Sequence, residues 1–230
     1  MSLSVCKFGG SSLADGNNIS RVTEIIGSDP ARRFVVVSAP GKRYSDDIKV
    51  TDLLYACYRE SVEKGSCAET FQKIRKRFRS IVTELGMDSF DIDGILDETE
   101  RAIEENKSAD FTASRGEYLN ARVVAAKLGR TFIDAKDIIF FDENGRFDES
   151  RSYPLIAEKL SAAGSAVVPG FYGTGADGKI RTFSRGGSDI SGSIVARAMN
   201  ADVYENWTDV SGFLACDPRI VEKPEKIETI

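Results

Sequence analysis

The 230-residue chain is 41% hydrophobic and 29% charged, an ordinary globular balance with enough apolar material for one large domain or two small ones. Its formal net charge of -5 argues against broad electrostatic binding to nucleic acid or acidic membranes. It contains no histidine, which removes Ser-His-Asp and Cys-His catalysis, H-E-x-x-H metal sites and every imidazole base, and leaves the chemistry to Lys, Arg, Asp, Glu, hydroxyls, backbone amides or a bound metal.

Leu3 to Phe8 reads as a short strand, followed by GGSS and a helix starting near Asn17 or Asn18. RFVVVSA (33–39) is a continuous apolar, β-branched run, the mark of a strand buried on both faces. After the loop PGKRYSDDIK, helical patterns cover 50–64, 67–85, 90–106 and 109–128. TFIDA (131–135) and DIIFF (137–141) look like strands, then come a DENGR turn and a helix around 153–163. SAVVPGFY is another buried strand, RGGSD leads into a helix over 189–200, and DVYENW is a late strand. This alternation predicts an α/β fold with a mainly parallel sheet covered on both faces. No internal repeat, linker or apolar run of about 20 residues interrupts it. The scattered cysteines (Cys6, Cys57, Cys67, Cys216) and the lack of a signal-peptide pattern suit reduced thiols in a cytosolic protein.

The run KIRKRFR (73–79) suggests a nucleic-acid patch, but Phe71, Ile74, Phe78, Ile81 and Leu85 fall at helical spacing. The reading preferred is an amphipathic helix with its cations solvated on the other faces.

Two phosphate-binding patterns overlap in GFYGTGADGKI (170–180): G-x-G-x-x-G and most of a P-loop. Either must open a helix, whose N-terminal amides hold the phosphate, yet KIRTFS after Gly178 alternates like a strand. The P-loop also needs Ser or Thr where this chain has Ile180. Asp177-Gly178 is therefore expected to turn a hairpin.

Two other glycine loops precede helices. Gly9-Gly10-Ser11-Ser12 follows the first strand, with Lys7 at that strand's end. Arg185-Gly186-Gly187-Ser188-Asp189 opens a helix whose apolar face is Ile190, Ile194 and Ala198, with Ser188 or Asp189 as N-cap. Each sets exposed amides and a cation where an anion could approach, although each alone is equally well a simple turn. Glu117 falls on an apolar helical stripe with Ala113, Ala121, Val124 and Leu128. A carboxylate there is costly to bury unpaired, so it is either in an internal salt bridge or the acceptor of a substrate ammonium.

Taken together, KFGGSS (7–12), VTDLL (50–54), SRGEYLNARV (114–123), SRGGSD (184–189) and WTDVSGFLACDPR (207–219) resemble the catalytic domain of aspartokinases, in the amino-acid kinase family. The resemblance covers nearly the whole chain and implies a three-layer αβα sandwich. It also implies transfer of the ATP γ-phosphoryl group to the side-chain carboxylate of L-aspartate, the first step of lysine, threonine and methionine biosynthesis, with ATP and Mg²⁺ as cofactors. By the resemblance, Lys7 contacts the transferring phosphoryl group and Gly9, Gly10 and Ser11 line the phosphates. Thr51 and Glu117 hold aspartate, Glu117 meeting its α-amino group. Arg185 clamps the α-carboxylate with Ser188 beside it, Asp189 orients Lys7, and Ser38 is a further contact. Thr208, Asp209 and Arg219 fall on the nucleotide side.

Where the family often has an adenine-side Tyr, this chain has Leu214, which leaves that contact unassigned. The resemblance makes residues 1–230 one catalytic domain, C-terminally truncated, with ACT regulatory domains absent and homo-oligomerisation a property of the parent. A kinase for another small acid such as glutamate, and an inactive ligand-binding fragment, stand as alternatives.

Overall fold

The computed structural model describes residues 2–184, 186–208, 213–214, 220–222 and 225–227. In chain order, β1 (Ser4–Phe8) leads to α1 (Gly16–Gly27) and β2 (Arg32–Val37). Four helices follow: α2 (Val50–Lys64), α3 (Ala68–Glu84), α4 (Ile92–Asn106) and α5 (Ala109–Leu128). Then come β3 (Thr131–Phe132), α6 (Glu149–Ala163), β4 (Ala166–Pro169), β5 (Tyr172–Thr174) and β6 (Ile180–Thr182). The chain continues through α7 (Gly187–Ala198), β7 (Val203–Trp207), β8 (Phe213–Leu214) and β9 (Lys226–Ile227).

The main sheet runs β3-β4-β2-β1-β7, and every pairing in it is parallel. Because side chains alternate along a strand, its two faces feed two cores. Cys6, Phe8, Val35, Val37 and Val167 pack against α1 to α5; Val5, Phe34, Val36, Ala166 and Val168 pack against α6 and α7. This is the three-layer αβα arrangement, with β2 buried on both sides as its unbroken RFVVV predicts.

The segment 170–183 is a hairpin. β5 and β6 pair antiparallel, and Gly178 takes φ 76°, a conformation a residue with a Cβ resists. No helix opens there, so the phosphate-loop patterns in it are coincidental.

Four expectations need correction. DIIFF is not a strand: Asp134 accepts a hydrogen bond from Lys136 N to start a 3₁₀ turn over Ala135–Asp137, and only isolated bridges join Phe140 to Thr174 and Phe141 to Phe147. Those apolar side chains are buried by packing rather than by a ladder.

The N-cap of α7 is Gly186 at φ 58°, which has no side chain to cap with; Ser188 and Asp189 lie inside the helix, and the Asp189 carboxylate pairs with Lys7. Its buried face is Gly187, Ser191, Ile194 and Val195, while Ile190 is exposed. In α3 the cations are not all solvated either: Arg75 and Arg77 are buried. Arg75 pairs with Asp97 and Glu100, and Arg77 with Asp47, so these two guanidiniums are not part of a free basic patch.

Candidate active site

In the sheet, β1 connects outward to β2 on one side while β7 lies on its other side. Chains leaving the carboxyl ends of β1 and β7 therefore diverge, and such a switch point is where an open α/β sheet forms a ligand crevice. The glycine loop after β1 and the start of α7 both lie at this edge.

Lys7, buried in β1, directs its Nζ to 2.5 Å from Asp189 Oδ1. Asn206 of β7 donates from Nδ2 to the same oxygen at 3.2 Å. Gly9 lies over the ammonium, since a Cβ built on it would be 3.6 Å from Lys7 Nζ. Gly9 N donates to Trp207 O at 3.1 Å, fixing the loop to β7. Gly10 and Gly41 pack backbone to backbone: Gly41 N donates to Gly10 O at 2.8 Å, and a Cβ on Gly10 would be 2.8 Å from Ala39 O. Only glycine permits this approach between the turns after β1 and β2.

Beside this loop lies a cavity of about 570 Å³. Gly10, Ser11, Ser38, Thr51 and Glu117 all line it, together with the segment 39–45 and Lys49. Thr51 enters from the first turn of α2 and Glu117 from the middle of α5. Gly116 lets α5 come this near: a Cβ there would be 2.7 Å from Ala39 Cβ.

Glu117 is buried, its Oε2 has no hydrogen-bond partner, and it makes no ion pair among the described residues. The internal salt bridge offered as one reading of its sequence position is thus not seen among them. Burial pushes its carboxyl up to about 8, against the opposing pull of the Ala39 and Glu117 backbone amides and the Arg115 charge. A cation arriving in the cavity would relieve that penalty.

Other predicted residues are dispersed. Ser188 packs against Gly170, where a Cβ would be 2.8 Å from Ser188 Cβ, and neither it nor Asp189 lines the large cavity. Thr208 lines a smaller cavity of about 190 Å³ with Phe8, Ser12, Asn18, Arg21 and Trp207. Arg185, Asp209 and Arg219 lie outside the described residues, as does the side chain of Leu214.

The site also has features not anticipated from sequence. Lys42, Arg43, Tyr44, Ser45 and Lys49 form one wall of the large cavity. Asn120, fully buried one turn beyond Glu117, donates from Nδ2 to Ser38 O at 2.7 Å and holds the end of β2. Its place on the buried stripe of α5 was the available signal. The wall itself is fastened by Arg77, which donates to Gly41 O at 3.0 Å and to Asp47.

A parallel sheet whose switch point sets a buried lysine and a glycine turn beside a cavity with an unpaired carboxylate forms an α/β candidate site for a ligand of mixed charge. The chain belongs to the amino acid kinase family, whose model matches residues 2–230. It is 39% identical to aspartokinase 3 of Bacillus subtilis over 99% of this chain and 53% of that protein. The solved structure of aspartate kinase from Clostridium acetobutylicum superimposes with a TM-score of 0.92 at 50% identity, covering 98% of this chain and 52% of that one. Escherichia coli aspartokinase III, solved in complex with aspartate and ADP, superimposes with a TM-score of 0.80 at 26% identity over 98% of this chain and 53% of that one. The chain thus spans about half the length of the relatives it matches.

Proposed function

We propose that residues 1–230 form the catalytic domain of an aspartate kinase, which transfers the ATP γ-phosphoryl group to the side-chain carboxylate of L-aspartate. The observation that carries this reading is the unpaired, buried Glu117 carboxylate in the cavity that Gly10, Ser11, Ser38 and Thr51 also line. Lys7 lies one glycine away. The relatives bearing the aspartokinase name support the same choice.

Phosphoryl transfer requires positioning and charge neutralisation more than covalent help from the protein. The acceptor has an ordinary pKa of about 3.9, so it is ionised near neutrality and needs no general base; the absence of histidine is no obstacle. A carboxylate oxygen attacks the γ-phosphorus as the bond to the ADP oxygen breaks, giving 4-phospho-L-aspartate and ADP.

In this reading Lys7 neutralises the transferring group, oriented by Asp189, and Gly9, Gly10 and Ser11 present the loop to the phosphates. Thr51, Ser38 and Glu117 hold aspartate, with Glu117 taking the α-ammonium. Arg185 grips the α-carboxylate through two parallel hydrogen bonds, beside Ser188. Thr208, Asp209 and Arg219 serve the nucleotide. No cluster of three or more His, Cys, Asp or Glu that could hold a metal occurs among the described residues. Mg²⁺ would be carried by the nucleotide's phosphates, where it would offset their charge.

We propose a cytoplasmic location and, for any longer parent chain, a homo-oligomer. No helix of the described residues is long and apolar enough to cross a membrane.

The test is ADP release with L-aspartate against L-glutamate. One added methylene is worth roughly 10- to 200-fold in such a pocket, so kcat/KM for aspartate should exceed that for glutamate by at least about tenfold. Equal values would overturn the substrate assignment.

A further inference from the structure

The segment 41–49 has a second cavity on its far side, about 410 Å³, facing α3. Arg43, Lys73, Lys76, Arg77 and Ser80 line it, with Asp47 as the single carboxylate. Arg43 grips Asp47 through Nε at 2.8 Å and Nη2 at 2.9 Å, and Arg77 donates to the same carboxylate from the buried side. One carboxylate thus serves two guanidiniums. Lys73 and Lys76 add two further charges and make no ion pair among the described residues. Four cations against one anion leave a surplus of three in a chain whose net charge is -5. Charges of one sign in a concave site partly walled by Ile48 and Leu53 focus the field on its mouth.

We infer that this cavity is a binding site for a small, multiply charged anion, a phosphate ester or a polycarboxylate, held by Lys73, Lys76 and Arg43. Lysines on a helix face are commonly just solvated. This pair differs because it stands beside a concave floor formed by two guanidiniums whose geometry is already fixed by Asp47, so little ordering cost remains for the ligand.

The site also touches the one described above. Arg43 lines both cavities, and Arg77 ties Ala14 O at 3.1 Å, Gly41 O at 3.0 Å and Ile48 O at 3.3 Å. An anion bound at Lys73 and Lys76 draws on Arg43, and so on the wall of the larger cavity. Coupling of this kind is reciprocal: a ligand in either cavity alters the affinity of the other. The inference does not depend on which acid the larger cavity takes.

The experiment follows backbone amide signals by NMR while inorganic phosphate, or separately citrate, is titrated into the protein at roughly 0.15 M ionic strength, where surface charges are screened beyond about 8 Å. Wild type is compared with the Lys73→Ala/Lys76→Ala double variant, whose altered side chains are both exposed. The expected result is saturable shifts at 73–80 and 41–48 in wild type, with the affinity read there at least tenfold weaker in the double variant. Stronger binding of phosphate assigns a phosphate ester, and stronger binding of citrate a polycarboxylate. Non-saturable shifts with both probes, or equal affinity in the two proteins, would overturn the site. Shifts at Gly9 to Ser12 report on the larger cavity and should persist in the double variant, so the two readings stand or fall separately.

Discussion

Lys7 of β1 and Asp189 of α7 meet across the carboxyl edge of the sheet, Nζ to Oδ1 at 2.5 Å, although 182 positions separate them in the chain. The lysine is buried and the aspartate is half exposed. With its partner half-solvated, the buried ammonium stays open to a second anion, as the proposed phosphate contact requires.

Replacing Lys7 by Met should therefore lower kcat by about 10²- to 10³-fold, the usual loss when one preorganised charge is removed from a transition state. Asp189→Asn should lose less, because Lys7 remains but is no longer fixed by a carboxylate. Steady-state ADP release checks both, with circular dichroism to verify the fold. An unchanged rate in Lys7→Met contradicts the assigned role.

Glu117 sets a pH dependence whose sign follows from its environment. Burial raises its carboxyl from an ordinary 4.5 to about 8, so between those values the folded chain keeps a proton that the unfolded chain has released. Its contribution to stability is complete below about pH 4.5 and is lost as pH rises through 8, by up to ~1.4 kcal/mol per pH unit. Urea unfolding from pH 5 to 9 should show this decline, and Glu117→Gln should flatten it. An ammonium bound in the cavity lowers the same pKa, so aspartate binding should release a proton near neutrality, seen in calorimetry as a buffer-dependent heat. An equal slope in wild type and variant contradicts the account.

Arg77 and Asp47 form a buried pair, 4% and 8% exposed in their side chains. Arg43, ahead of Arg77, holds the Asp47 carboxyl well below the usual carboxylate range. That part of the stability is present at neutral pH and lost as pH falls into the strongly acid range. Removing Arg77 leaves Asp47 with Arg43 as its partner but strips Ala14 O and Gly41 O of their charged donor, at a cost of about 1.5–3 kcal/mol. Arg77→Met should therefore lower unfolding stability by that amount. It should also raise the KM for aspartate, since Arg77 fastens Gly41 of the cavity wall. Less than about 1 kcal/mol lost would show that the clamp is dispensable.

Periodicity placed the helices well, including α5, which is buried on more than one face. The ranges predicted for α2 and α5 match residue for residue, and the β-branched run of β2 announced a doubly buried strand. The hairpin at Asp177-Gly178 followed from glycine's access to positive φ.

Failures arose where a distant partner decided the outcome. Asp189 looked like a helix cap, yet Lys7 and Asn206, which take its carboxylate, come from other strands. Arg75 and Arg77 looked solvated because the acids that permit their burial lie on α4 and on the 41–48 loop. Ile138 and Ile139 were apolar enough for a strand, but apolar content specifies burial and not a hydrogen-bonded ladder. Of the site, Lys7, the glycine loop and Glu117 stood out in the residues themselves, whereas Ser38 and Thr51, which line the same cavity, came only from the family resemblance. The wall of Lys42, Arg43 and Lys49 was not, because no local pattern states that a loop will fold over a cavity.

The most direct test of the central claim is a crystal structure of this chain with L-aspartate and magnesium ADP. The account predicts aspartate in the 570 Å³ cavity, its α-ammonium hydrogen-bonded to Glu117 and its side-chain carboxylate turned toward Lys7 and the nucleotide's terminal phosphate. Aspartate bound elsewhere, or bound there with its ammonium turned away from Glu117, would contradict it.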